Sequence, residues 1–253
     1  MTRIPQNPLR DVALCLVFFT RLPLPRLDFG ARKLADAIWA APLAGLAVAV
    51  IGALAYAVAS RLGLAAGPAS ALALAATLLA TGALHEDGLS DVADGFGGGR
   101  DRERKLAIMR DSRIGAYGAA ALGLSLLLRW SALAEIQGGW QILAALAAAH
   151  AGSRGLPGAF MHALPPARSD GLSAGAGGVS RDTAILGAGL GALALLPLGL
   201  NGFVAAMVLL SLLFLAFRAL CLSQIGGQTG DTAGALQQLA EIAVLLVASV
   251  SLG

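Results

Sequence analysis

Long apolar runs broken by three polar segments constrain this chain more than any other feature. The runs extend over about Ala35 to Ala59, Ala69 to Leu84, Tyr117 to Ile136, Trp140 to Ala151, Thr183 to Leu200, Phe203 to Leu220 and Ala235 to the C-terminus. A helix needs about 20 apolar residues to cross a bilayer. Most of these runs approach that length, and the one at 140–151 falls short of it. Only 13% of the 253 residues are charged and 57% are hydrophobic, whereas a soluble domain carries about 25% charge. The expected fold is therefore all-α: a polytopic membrane bundle of about seven spans, in one domain over residues 1–253. The apolar piece between Asp11 and Arg21 is too short to cross. It reads as an interfacial helix closed by Arg21-Leu22-Pro23-Leu24-Pro25. No small-residue cleavage site follows it, so no cleavable signal peptide is expected. Cys15 and Cys221 lie far apart with no metal-ligand spacing, and they read as buried thiols.

The basic residues set an orientation. With residues 1–35 on the inside and the spans alternating, the inside receives the N-terminal cluster (Arg3, Arg10, Arg21, Arg26, Arg32 and Lys33). It also receives the 100–113 cluster, Arg154, Arg168, Arg181 and Arg218. The outside receives Arg61, and Arg129 falls within a span. This asymmetry favours an N-terminus on the cytoplasmic side. Arg129 and Glu135, within or near a span, should face the protein interior. All three polar segments then emerge on the cytoplasmic face, where one site can be assembled from them.

The first polar segment is His85-Glu86-Asp87-Gly88-Leu89-Ser90-Asp91-Val92-Ala93-Asp94-Gly95, leading into Gly97-Gly98-Gly99. If the preceding helix continues through it, Asp87, Asp91 and Asp94 share one face at i, i+4 and i+7. Like charges at that spacing repel. The group suits either a well-solvated turn or a hard divalent cation, and Mg²⁺ typically uses one or two carboxylates plus substrate phosphates. Gly88 and Gly95 leave room for a ligand to approach the backbone, and the triple glycine should end the helix. The second segment, 152–182, is rich in Gly, Ser and Pro and reads as a loop. The third is Gln224-Ile225-Gly226-Gly227-Gln228-Thr229-Gly230-Asp231-Thr232-Ala233-Gly234. Glycine turns can hold phosphate oxygens on backbone N–H groups, and arginines bind anions. No Cys nucleophile and no Ser/His/Asp order is evident. The inventory suits phosphoryl transfer, whose catalysis is mainly positioning and charge neutralisation.

Three stretches carry a family resemblance. His85 to Gly95 resembles the HxDGLxDxxDG signature of the cobalamin synthase (adenosylcobinamide-GDP ribazoletransferase) family. Arg110-Asp111-Ser112-Arg113-Ile114-Gly115-Ala116-Tyr117-Gly118 resembles its RDSRIGxxG segment, and Gly226 to Ala235 its GGxTGDxxGA segment. Phe19-Thr20-Arg21-Leu22-Pro23 and Pro166-Ala167-Arg168 match weaker features. The matches run in family order over nearly the whole chain. The resemblance implies that adenosylcobinamide-GDP is joined to α-ribazole, or its 5′-phosphate, giving adenosylcobalamin or its 5′-phosphate and GMP. This is the final step of nucleotide-loop assembly, and Mg²⁺ is the implied cofactor. The implied partners are these substrates, the bilayer and other corrinoid-assembly enzymes, with no nucleic acid.

Roles follow for single residues. Asp87, Asp91 and Asp94 are the metal candidates. Asp231 is a further ligand or orienter, with a helix N-cap as its structural alternative. His85 is a candidate acceptor for the attacking hydroxyl's proton. Asp111 and Arg113 are nucleotide or phosphate binders, with a plain ion pair as their alternative. Arg154 and Arg168 are candidates for the GDP moiety. Three competing readings have distinguishing marks. A CDP-alcohol phosphotransferase needs the order D-G-x-x-A-R, which Asp87-Gly88-Leu89-Ser90-Asp91 lacks. A transporter needs carboxylates inside the spans. A membrane scaffold would show no turnover.

Overall fold

The structure, a computed structural model, describes residues 7–25, 28–169 and 177–253. Arg3 and Arg26 of the basic cluster, and the loop expected over 170–176, lie outside the described residues. The described residues form twelve α-helices: α1 (Pro8–Phe19), α2 (Leu34–Ala37), α3 (Ala41–Arg61), α4 (Ala66–Thr81), α5 (Leu84–Gly98), α6 (Arg102–Ile108), α7 (Ala116–Ala134), α8 (Gly139–Arg154), α9 (Leu156–Ala163), α10 (Arg181–Leu193), α11 (Gly199–Ile225) and α12 (Gly230–Leu252). The all-helical membrane fold is as expected.

α12 is the axis of the bundle. It packs against α5, α7, α8, α9 and α11. α3 packs against α4 and α8, and α10 against α8 and α9. Small residues permit these approaches, as in other membrane helices. A Cβ on Gly45 of α3, for example, would sit 2.4 Å from the His150 carbonyl oxygen of α8. Large exposed apolar side chains such as Leu79, Leu200 and Val250 face outward, as a lipid-facing surface requires.

Fewer than the expected seven runs meet a length and composition criterion for crossing. By length and composition four segments qualify as spans: Leu34–Arg61, Ala116–Ala134, Arg181–Ile225 and Gly230–Leu252. A fifth is added if the bent pair Ala66–Thr81 and Leu84–Gly98 counts as one. α4 and α8 have 16 residues each, short of the about 20 a crossing needs. The two runs expected at 183–200 and 203–220 are α10 and α11, which a 3-10 turn at Leu196–Leu198 and the left-handed Gly199 (φ 72°) separate within the apolar stretch Arg181–Ile225.

Three local expectations change. The acidic motif does not continue the preceding helix. Gly82 (φ 64°) and Ala83 (φ 55°) are both left-handed, so the chain turns by 89° between α4 and α5. Gly82 reaches that region freely, whereas Ala83 is strained there. The expected loop at 152–182 is helical as far as Ala163, because Pro157 sits in the first turn of α9, where a missing N–H costs nothing. Glu135 is exposed at the end of α7 rather than turned inward. Other expectations hold. The short N-terminal helix forms, and bidentate hydrogen bonds from Arg32 to Asp11 (2.7 and 2.6 Å), with one from Trp39 Nε1 (2.8 Å), fasten it to the bundle. α5 ends at Gly98, Cys15 and Cys221 are buried free thiols, and Arg129 is buried.

Candidate active site

The three polar segments meet around α5. Asp94 receives the backbone N–H of Gly115 (2.7 Å) and of Gly118 (2.9 Å) on its two carboxylate oxygens. It thereby caps the N-terminus of α7, where unpaired N–H groups and the helix dipole favour an anion. This fastens the Arg110–Gly118 segment to the acidic helix. Gly88 lies against α12, where an added Cβ would sit 2.8 Å from the Asp231 carbonyl oxygen. The third segment is zipped to the second. Ala167 N–H donates to the Gln228 carbonyl (2.8 Å), Gln228 N–H donates to the Pro165 carbonyl (2.9 Å), and Arg168 reaches Asp231 at 3.1 Å.

These contacts revise some roles. The space left by Gly88 and Gly95 is filled by Asp231 backbone and by the Met109 side chain, so it serves helix packing rather than a ligand. Asp231 is not the N-cap of α12. Thr229 is, in a capping box with Thr232, and the Asp231 carboxylate accepts from Arg168 and from the Thr229 hydroxyl (3.2 Å). Asp94 is committed to the α7 terminus. Asp87 is exposed and Asp91 half-buried. Asp91 stands in the repulsive field of Asp87, Asp231 and Asp94, relieved by Arg168.

A cavity of ≈ 580 Å³ opens on one flank of α5, lined by Arg21, Asp87, Asp91, Arg110, Asp111 and Arg113 among others. Asp111 and Arg113 form an exposed ion pair within it, with contacts of 3.0, 3.1 and 2.5 Å. Hydrogen bonds from Arg113 hold the Asp111 carboxyl at about 2, below its ordinary value. Arg21 joins this wall, its backbone N–H bonded to the Ala80 carbonyl at 2.7 Å.

Arg154 does not join the other anion-binding candidates. It is buried, with Nη1 donating to the His150 carbonyl (3.0 Å) and Nη2 3.5 Å from His85 Nδ1. It belongs to a charged network inside the bundle that sequence reasoning missed. Arg129 Nη1 donates to Glu86 (2.9 Å) and to Glu241 (3.0 Å). Glu241 also meets His150 (3.0 Å) and Gln237 (2.7 Å), and Gln238 donates to Glu86 (3.2 Å). The available signal was the set of ionisable residues inside apolar runs: Arg129, His150 and Glu241.

The carboxylates suit a hard cation, but sparsely. Among the described residues no three His, Cys, Asp or Glu side chains are gathered tightly enough to hold a metal ion by themselves. Mg²⁺ does not need three. It keeps waters and takes one or two carboxylates together with substrate phosphates. Asp87 and Asp91, facing a cavity lined with arginines, fit that requirement.

The fold and the carboxylates and arginines gathered at α5 describe a helical membrane protein with a charged site at one end of its acidic helix. A family profile described as Cobalamin-5-phosphate synthase matches residues 11–249. A protein of Mesorhizobium japonicum named adenosylcobinamide-GDP ribazoletransferase is 71% identical over 252 residues, covering 100% of this chain and 97% of that protein. Proteins of the same name from Bradyrhizobium diazoefficiens and Azorhizobium caulinodans are 51% and 47% identical, covering 98% and 94% of this chain and 96% and 94% of theirs. No solved structure matches. The chain belongs to the cobalamin-5-phosphate synthase family, and it is a transferase of the final step of cobalamin synthesis.

Proposed function

We propose that this chain joins adenosylcobinamide-GDP to α-ribazole or its 5′-phosphate. One observation carries the reading: the three motif segments, far apart in sequence, converge on α5 through the Asp94–Gly115/Gly118 hydrogen bonds and the close approach of Gly88 to the Asp231 backbone. The diphosphate lies in the larger cavity, where Arg21, Arg110 and Arg113 face its charge. A ribose hydroxyl of the acceptor attacks the phosphorus bonded to the cobinamide arm. The P–O bond to the second phosphate breaks, and GMP leaves with the electron pair. Asp231, held by Arg168 and Thr229, orients the hydroxyl and takes its proton. Asp87 and Asp91 would hold Mg²⁺, which would neutralise charge on the diphosphate. A proton-accepting His85 fits less well, because it would place a further buried cation beside Arg154. The test is GMP release by the purified protein in lipid vesicles. Release must depend on adenosylcobinamide-GDP, α-ribazole and Mg²⁺ together, and GMP formed without the acceptor would refute the transfer.

Arg113→Lys should raise the KM for adenosylcobinamide-GDP several-fold while leaving that for α-ribazole in place. A guanidinium grips phosphate with two parallel bonds and an ammonium does not. The Lys variant would also loosen its own contact with Asp111. Equal kinetics in variant and wild type would make Arg113 peripheral.

The site faces the cytoplasm of a bacterial inner membrane in this reading, since Arg21, Arg110 and Arg113 gather where the acidic motif opens. Single cysteines at Arg100 and at Asn201, both exposed, introduced after replacement of Cys15 and Cys221, test this. An impermeant thiol reagent added to intact cells should label position 201 and spare position 100. Labelling of 100 would reverse the orientation.

A further inference from the structure

A second cavity, ≈ 140 Å³, lies on the other flank of α5, between α1, α9 and α12. It shares Leu84 and Asp87 with the larger one, so the two meet at a carboxylate. Its walls are mostly apolar, with Phe19, Ile38, Leu84, Met161 and Ala233 among them. His85, a lining residue only 3% exposed, carries a buried ring nitrogen without a partner, Nε2.

The His85 ring is held on two sides. Phe19 stacks on it with centroids 5.6 Å apart and planes 14° from parallel. Arg154 Nη2 stands 3.5 Å from Nδ1. A guanidinium can only donate. Nδ1 is therefore the bare nitrogen, and the proton of the neutral ring sits on Nε2. Nε2–H is thus a buried donor that lacks an acceptor, a costly state unless a ligand completes it.

We propose that this cavity is the subsite for the base of the acceptor nucleoside: a flat, largely apolar heterocycle with a single hydrogen-bond acceptor, bound by Nε2–H of His85. The proposal rests on the ribazole-transfer reading above. The base of α-ribazole has this chemistry. It is a benzimidazole with two methyl groups, one ring nitrogen bonded to ribose and the other bare. Guanine does not suit the cavity, because its several donors and acceptors would be buried against apolar walls without partners. A corrin ring is far too large for it. With the base seated here, the attached ribose falls beside Asp87 and Asp231, which line the same cavity. Each substrate then approaches α5 from its own flank. Phe19 acts as a positioning residue for the imidazole.

The test uses the full chain in lipid vesicles. His85→Phe keeps the stacking ring and removes the donor, and Met161→Trp fills the cavity. Each should raise the KM for α-ribazole roughly tenfold or more, the scale of one lost hydrogen bond or of lost pocket volume. The KM for adenosylcobinamide-GDP should stay within about twofold on the same grounds. Free benzimidazole should compete with α-ribazole, not with adenosylcobinamide-GDP, and Met161→Trp should weaken that inhibition in parallel. If His85→Phe fails to fold, Met161→Trp and the benzimidazole competition in wild type still decide the matter. Equal rises in both KM values, or benzimidazole competing with the GDP substrate, would overturn the subsite while wild-type turnover upholds the transfer. Calorimetric binding of benzimidazole by wild type, abolished in Met161→Trp, would uphold the subsite even if no GMP were released, an outcome that refutes only the transfer.

Discussion

Asp91→Asn should lower turnover about a hundredfold or more, because a bound metal ion supplies several kcal/mol of charge stabilisation to a phosphoryl transfer. The variant keeps the shape of the side chain and one oxygen, and it loses the negative charge. Asp91 is the residue to choose because of its surroundings. It is half-buried, with Asp87, Asp231 and Asp94 repelling it and Arg168 opposing them. A site that crowds carboxylates in this way is costly when empty and favourable when a cation enters. Without metal, then, the variant should melt no lower than wild type, since one of several like charges has gone. Mg²⁺ should raise the melting temperature of wild type more than that of the variant. Asp94→Asn should behave differently. Asp94 takes the Gly115 and Gly118 N–H groups, so its loss should loosen the Arg110–Gly118 segment whether or not metal is present. Near-normal turnover in Asp91→Asn, or the same Mg²⁺-induced shift in both proteins, would remove Asp91 from the metal site.

What could be read from the sequence, and what could not, divides by the range of the interaction. Apolar runs, the triple glycine that ends α5 and the short helix before the spans are local features, and they came out as expected. So did the inward turn of Arg129, because a charge in an apolar run has few other solutions. The bend at Gly82-Ala83 was hidden because Ala83 carries no turn signal, although it is left-handed in the structure. α9 was hidden by a Gly and Pro content that reads as loop, although Pro157 is in the one part of a helix that tolerates it. Asp87, Asp91 and Asp94 look equivalent by spacing. They separate only when α7 arrives and its N-terminus takes Asp94. Arg154 looked like a surface cation because it follows a short apolar run. The helix carries on to that residue, and the side chain turns toward His85 and His150 inside the bundle. Glu86 drew no role from the sequence, since its partners Arg129 and Gln238 are 43 and 152 residues away.

Glu241→Gln should be among the most destabilising single changes in the chain. Arg129, Arg154, Glu86 and Glu241 are all buried, and their formal charges cancel two against two. Glu241 holds the group together, accepting from Arg129 and Gln237, meeting His150 at 3.0 Å and lying 3.7 Å from Arg154. Gln is nearly the same shape, so no cavity opens, but two guanidiniums are left facing one carboxylate in an apolar interior. Removing one partner of a buried ion pair costs about 3–5 kcal/mol. The loss should appear as a marked fall in melting temperature in detergent micelles and as poor recovery of the intact protein from membranes. A charge-balanced control separates electrostatics from shape. In Arg129→Met combined with Glu241→Gln, one cation and one anion go together, leaving Arg154 with Glu86. The double variant should be more stable than the sum of the single losses predicts, because the two sites are in contact and their effects do not add. If Glu241→Gln melts like wild type, the network does not hold the bundle together. If the double variant shows the full additive loss, the side chains act by packing and hydrogen bonding, and balance of charge is not what α12 requires at this depth.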